Sequence, residues 1–202
     1  MTRLLLATTS QDKIAEIRIV LDDLGLTIET LDDHPGIAPP DETGTTFAEN
    51  ARAKALYYAA RTTRPAVADD SGLVIDALDG APGVQSARFG GADASYPDRC
   101  ATICRRLDAR AARGRDARFV TALALAEDGR ITFEAEGTVE GRITREPRGE
   151  SGFGYDPIFY YPDFGCTLAE VSRAQKSAVS HRGRAFRQLR AHLAARLTRP
   201  GQ

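Results

Sequence analysis

The sequence predicts an α/β fold, a mixed β-sheet with flanking helices, and three observations carry that prediction. Short apolar segments alternate with helical periodicities through the first half of the chain, the pattern of strand–helix–strand units. Glu127-Asp128-Gly129-Arg130 is a hairpin signal between two longer strand-like runs, so antiparallel pairing joins the parallel kind. No repeat, low-complexity tract or linker interrupts the 202 residues, a length at which one domain spanning 1–202 is the default.

In chain order, Arg3 to Thr8 is a short buried strand of Leu and Ala. Thr9-Ser10-Gln11-Asp12 supplies capping side chains for a helix whose apolar stripe is Ile14, Ile17, Val20, Leu21 and Leu24, ended by Gly25. Leu26 to Leu31 is a second strand, and residues 32–45 form an irregular loop. Thr46-x-x-Glu49 is a capping box opening a helix to about Arg61. Pro65 to Ala68 and Leu73 to Leu78 are strand segments, with Asp69-Asp70-Ser71-Gly72 as a break between them. Residues 97–113 form an amphipathic helix, 117–126 and 131–139 the hairpin strands, and 157–161 a further apolar segment. The C-terminal part is helical to about Leu197, interrupted near 180–183.

Composition narrows the function classes. Hydrophobic residues make up 42% and charged residues 27%, ordinary for a globular protein, and a formal net charge of −1 argues against nucleic-acid and membrane-surface binding. No apolar run reaches the roughly 18–20 residues that span a bilayer, and the apolar run at the N-terminus is too short for a signal peptide. The expected setting is cytoplasmic. Cys100, Cys104 and Cys166 are expected as buried reduced thiols, the first two on one helix face with Ile103 and Leu107. His34 and His192 are expected at the surface.

Three of the 27 basic residues are lysines, and each lies in a polar or acidic cluster: Lys13, Lys54 and Lys176. Where arginine fills the ordinary cationic positions, a retained lysine marks a place that takes a compact point charge, as a phosphate contact does. Thr8-Thr9-Ser10-Gln11-Asp12-Lys13 runs from a strand end into a helix N-terminus, where free N–H groups attract phosphate, although a plain cap explains much of the pattern. Asp41-Glu42 and Asp69-Asp70 supply hard oxygen ligands of the kind Mg²⁺ takes; turn residues are the alternative. In Ser151-Gly152-Phe153-Gly154-Tyr155-Asp156-Pro157, glycines let backbone approach a ligand and aromatic rings offer stacking faces. Lys176-Ser177-Ala178-Val179-Ser180-His181-Arg182 is dense in donors ahead of the last helix.

Together these segments resemble the inosine triphosphate pyrophosphatase family, whose members act on non-standard purine nucleoside triphosphates. The resemblance runs from Leu4-Leu5-Leu6-Ala7-Thr8 to Ser180-His181-Arg182-Gly183. Glu49-Asn50-Ala51 with Lys54, Ala68-Asp69-Asp70-Ser71-Gly72-Leu73, Gly152 to Pro157 and Lys176 to Arg182 are its most specific pieces. It implies an elongated fold with two lobes around a central nucleotide cleft, usually a homodimer. It also implies Mg²⁺-assisted hydrolysis of ITP, dITP and XTP to the monophosphate and pyrophosphate. On matching positions, Thr8, Thr9, Ser10, Gln11, Asp12 and Lys13 hold the triphosphate, and Lys54 is an extra contact. Asp70 is the proton acceptor and a metal ligand, and Ser71 touches substrate. Phe153, Gly154, Tyr155, Asp156, Lys176, His181 and Arg182 form the base and phosphate pocket, with Tyr155 stacked on the ring.

The chain departs from the family pattern twice. Ser10 stands where an Asn is usual, and the second metal-binding acid is Asp41 by position, with Glu42 the alternative. A nucleotide-binding sensor without catalysis and a pyrophosphatase for another modified nucleotide stay open beside the main reading.

Overall fold

The computed structural model describes residues 3–91, 93–110 and 114–198. Its elements are β1 (Arg3–Leu6), α1 (Gln11–Leu21), β2 (Thr27–Thr30), α2 (Phe47–Thr62), β3 (Ala66–Ile75) and α3 (Tyr96–Asp108). They continue with β4 (Asp116–Glu127), β5 (Arg130–Ile143), β6 (Phe159–Tyr161), β7 (Cys166–Thr167), α4 (Arg173–Val179) and α5 (His181–Leu197). The predicted third helix ends earlier than expected, and residues 111–113 of that expectation lie outside the described ones.

Seven strands form one sheet in the order β2-β1-β3-β4-β5-β6-β7. β1 pairs in parallel with β2 and β3, while β5, β6 and β7 pair antiparallel, so the predicted mixed sheet is found. The β4–β5 connection is a two-residue turn with Asp128 and Gly129 both at positive φ, as a tight hairpin between right-twisted strands requires.

The chain divides into two compact units. The first holds the residues up to Asp70, Thr121–Gly137 and the residues from His181 onward; the second holds Ser71–Val120 and Thr138–Ser180.

In the first unit the two-residue strand period sorts side chains by size. Leu4, Leu6, Val67, Leu123 and Leu125 join one apolar cluster with Ile14, Ile17 and Leu21 of α1 and Phe186, Leu189 and Leu193 of α5. The alternate positions, Leu5, Ala7, Ala66, Ala68, Ala124 and Ala126, join another with Ala51, Ala55 and Ala59 of α2. The facing alanines suit a close approach of α2, because a side chain one carbon long leaves little to separate helix from sheet.

In the second unit α3 lays Cys100, Ile103, Cys104 and Leu107 on a core with Leu73, Ile75, Phe119, Val139, Ile143 and Phe159. Burial pushes the Cys100 thiol up to about 12, which leaves it an inert packing group at neutral pH. Cys166 is half-buried rather than enclosed, because it sits on the two-residue strand β7.

The two remaining histidines are not bare surface residues. His34 Nε2 lies 2.9 Å from Glu29, and His192 stacks on Phe133 with ring centroids 4.4 Å apart. The partner of His34 is five residues away, and the ring over His192 comes from β5.

Candidate active site

Strand β3 runs unbroken through the acidic pair, which the sequence had suggested as a break between two segments. Ladder pairing keeps the strand in register, and the alternation that separates Val67 from Ala66 and Ala68 then sends the two carboxylates to opposite faces. Asp69 follows Val67 toward α1 and α5, and Asp70 follows Ala68 toward α2. Two adjacent carboxylates in a buried strand therefore take hydrogen bonds from separate side chains, while Lys13 and Lys54 act electrostatically on both.

Asp69 is 3% exposed and meets Lys13 Nζ at 2.9 Å and Arg182 Nε at 3.4 Å. Arg182 in turn places Nη1 2.6 Å from Glu16, itself buried on α1 one turn beyond Lys13. Burial alone would raise the Asp69 carboxyl, but Lys13, Arg182 and Lys54 outweigh it and hold the group well below the usual carboxylate range. Lys13 is lowered too, but here burial is the largest cause, opposed by Asp69 and reinforced by Arg182 and Lys54. Arg182 has 2% of its surface exposed and bridges Asp69 and Glu16. Lys13→Arg tests whether this slot needs an ammonium. The bulkier fork cannot take the same position beside a second guanidinium, and kcat/KM is expected to fall roughly tenfold or more. An unchanged kcat/KM would make the lysine usage a matter of composition.

On the other face, Asn50 Nδ2 donates to Asp70 Oδ2 at 2.9 Å, and Lys54 Nζ lies 3.8 Å from Asp70 Oδ1. The same ammonium is 2.8 Å from Glu42 Oε1 and donates to the Asp69 carbonyl at 2.8 Å. Burial raises the Asp70 carboxyl above its ordinary value, against the opposing pull of Lys54 and Asn50; Glu42 adds to the rise. Glu42, half-buried, thus shares one cation with Asp70, whereas Asp41 is exposed. The preference for Asp41 rested on counting back from Gly44. The loop instead turns the next residue inward, onto the lysine that α2 presents.

Two carboxylates that already converge on one positive charge make a donor set fit for Mg²⁺, which takes one or two carboxylates and completes its shell with phosphates and water. Among the described residues no group of three or more His, Cys, Asp or Glu side chains could hold a metal by itself.

At the start of α1, Ser10 is the N-cap and accepts from the Lys13 N–H at 3.4 Å, and its own N–H donates to Thr8 Oγ1 at 3.2 Å. Ser10 performs the capping role that the usual Asn would also perform. Thr9 and Gln11 are exposed, and Thr8 and Asp12 half-buried, around this helix end.

In the second unit, Asp156 accepts from Lys176 Nζ at 2.5 Å and from the Phe153 N–H at 2.8 Å, and both ionic side chains are 3% exposed. The loop closes over this carboxylate because Gly152 has φ +73° and no Cβ; a Cβ there would lie 2.3 Å from Asp156 Oδ2. The Lys176 ammonium stands 4.3 Å from the centre of the half-buried Phe153 ring.

Tyr155 differs from its expected stacking role. It is 3% exposed, donates its hydroxyl to the Ser86 carbonyl at 2.7 Å and meets Tyr96 edge-on. Burial pushes that hydroxyl up as well. The bond to Ser86 and the packing on Tyr96 hold this ring in the core, and the half-buried Phe153 is the other aromatic ring of the loop. Gly154 accompanies it in the loop, and Ser71 opens the unit, half-buried, on β3.

The pattern that defines the Ham1 family matches residues 4–192. The chain belongs to the Ham1 family. Other likenesses agree with this membership. The chain is similar to the dITP/XTP pyrophosphatase of an Exiguobacterium species, 47% identical over 95% of this chain and 96% of that one. It is also similar to the dITP/XTP pyrophosphatase of Gloeobacter violaceus, 49% identical over 92% of this chain and 91% of that one. The solved structure of a HAM1 protein from Coxiella burnetii superposes with TM-score 0.90 at 41% identity, covering 96% of this chain and all of that one.

Within this Ham1-family chain the residues singled out in the sequence fall into two groups. Lys13, Glu42, Lys54, Asp69, Asp70 and Arg182 gather in the first unit, with His181 buried at the start of α5; Phe153, Asp156 and Lys176 gather in the second. All three lysines pair with carboxylates. Two further residues join the first group without a role assigned to them from the sequence, Glu16 and Asn50. Glu16 shares the buried face of α1 with Ile17 and Val20, and a carboxylate on an apolar stripe is a signal that a cation faces it. Asn50 lies one turn before Lys54 on α2, inside the Glu49-Asn50-Ala51 segment that carries part of the family resemblance.

Proposed function

We propose that this chain hydrolyses non-standard purine nucleoside triphosphates (dITP, XTP and ITP) to the monophosphate and pyrophosphate. The observation that carries the reading is the Asp70 carboxylate: one oxygen is fixed by an amide, and the other sits near an ammonium that Glu42 also holds. Its raised basicity suits it to accept a proton. A water oxygen forms the new bond to the α-phosphorus, its proton passes to Asp70, and the α–β anhydride bond breaks with its electron pair leaving on pyrophosphate.

Lys13, Lys54 and the N–H groups at the start of α1 offset the charge of the polyphosphate and of the leaving group. Glu42 and Asp70 would hold Mg²⁺, which when bound supplies phosphate neutralisation and a more acidic water. In the second unit the half-buried Phe153 ring, held in place by Asp156 and Lys176, provides a stacking surface for the purine. The reading extends to a cytoplasmic homodimer, for which the family resemblance is the support.

Pyrophosphate release from dITP and XTP tests the proposal directly. Release is expected with Mg²⁺ and is expected to disappear with chelator, and dATP is expected to react at least about a hundredfold more slowly, since an amino group at position 6 strands donors placed for an oxo group. Binding without release would instead favour a nucleotide sensor, and faster turnover of a modified pyrimidine would move the substrate class.

A further inference from the structure

We infer that Asn50 is a positioning residue for the reaction, one that sets the orientation of the Asp70 carboxylate and the register of the Glu42 loop against it. The inference rests on the hydrolytic reading of Asp70. Asn50 is 2% exposed on α2, and both ends of its amide are used. Nδ2 donates to Asp70 Oδ2 at 2.9 Å, and Oδ1 accepts the Gly44 N–H at 2.8 Å. The partners fix the amide's sense without ambiguity: a carboxylate requires a donor and a backbone N–H requires an acceptor, so the flipped amide would face like against like twice.

The consequence is geometric. With Oδ2 of Asp70 held by Asn50, rotation of the carboxylate about its terminal bond is blocked, and Oδ1 is the oxygen directed toward Lys54. At the same time Gly44, two residues after Glu42, is tied to the same side chain. One amide therefore couples the two segments that carry the acidic groups, residues 42–44 and β3. Gly44 makes this possible by lacking a Cβ, which would lie 2.5 Å from Asn50 Oδ1. Glu49, the neighbour of Asn50, reinforces the loop from outside by accepting from the Thr45 N–H at 2.8 Å. The Asp70 bond is absent from any purely structural account of the helix, because α2 is already capped by Thr46 and packed by Ala51 and Ala55.

The test is steady-state hydrolysis of dITP by Asn50→Ala and Asn50→Asp, beside the parent chain, with thermal melts of each. Asn50→Asp is isosteric and still accepts from Gly44, so it keeps the shape of the site should the alanine variant not fold, but it replaces the donor with a second carboxylate against Asp70, so its lost kcat comes with an acid limb moved to higher pH. Both folded variants are expected to lose about 10- to 100-fold in kcat, the cost of removing an orienting partner, with KM for dITP within about threefold of the parent. Gly44→Ala, which displaces the same amide from the other side, is expected to lower kcat on its own and to add little in the Asn50→Ala background. A folded Asn50 variant with kcat within twofold of the parent overturns the inference, and so does a loss confined to KM. A parent chain that releases no pyrophosphate overturns the hydrolytic reading itself, a result separate from either of these.

Discussion

Asp70→Asn is expected to lower kcat for dITP by about a thousandfold, the middle of the range for removing a group that takes a proton in the transition state. The substitution is nearly isosteric. Asn50 can still donate to the new side-chain oxygen and Lys54 keeps its partner Glu42, so the loss reports proton transfer and water orientation rather than collapse of the site. Stability should move the opposite way. Burial raises the Asp70 carboxyl above its unfolded value, so the folded chain binds this proton more tightly. Stability from such a group is present at low pH and is lost as pH rises from the unfolded pKa through the folded one. At neutral pH the ionised Asp70 is thus a net cost that the neutral amide removes. A melting temperature in metal-free buffer equal to or above that of the parent, together with the lost kcat, is the expected pair of results. Retained kcat would remove Asp70 from the mechanism.

Asp69→Asn is expected to be the more damaging change to the fold. Its carboxylate is the common partner of Lys13 and Arg182, with side-chain exposures of 1% for Asp69 and 2% for Arg182. Glu16 still balances Arg182, but Lys13, part-buried, loses its paired carboxylate. Breaking a buried ion pair by removing one member costs about 3–5 kcal/mol. For a chain of this length that corresponds to a melting temperature lower by roughly 10 °C, and urea unfolding at neutral pH would show the same loss as a lower midpoint. kcat/KM should also fall, since Lys13 loses the partner that aims it. A variant as stable as the parent would mean that the network is neutralised by other groups.

The contrast between these two neighbours shows where the sequence was legible. The alternation of Leu and Ala at 122–126 of β4 is written in the residues themselves, and so is the tight turn at Asp128-Gly129, because strand period and turn chemistry act over a few positions. The exceptional status of three lysines in an arginine-rich chain was visible in the same way, and each was found against a carboxylate. The continuity of β3 was not visible. Asp69-Asp70-Ser71-Gly72 has the composition of a turn, and only cations arriving from residues 13, 54 and 182 make it affordable inside a strand.

The same limit governs the finer assignments. Spacing favours Asp41 over Glu42, and a loop conformation set by Gly44 and Asn50 instead turns Glu42 onto Lys54. Phe153 and Tyr155 are both aromatic residues in a glycine-rich loop, and the hydroxyl bond to the Ser86 carbonyl draws one of them into the core. By itself, then, the amino-acid order determined the α/β class, the mixed sheet and the inventory of charged groups, because periodicity and local turn chemistry act over short distances. Which acid meets which base was decided only in three dimensions, since the energy of a buried charge depends on partners that the chain brings together from far apart.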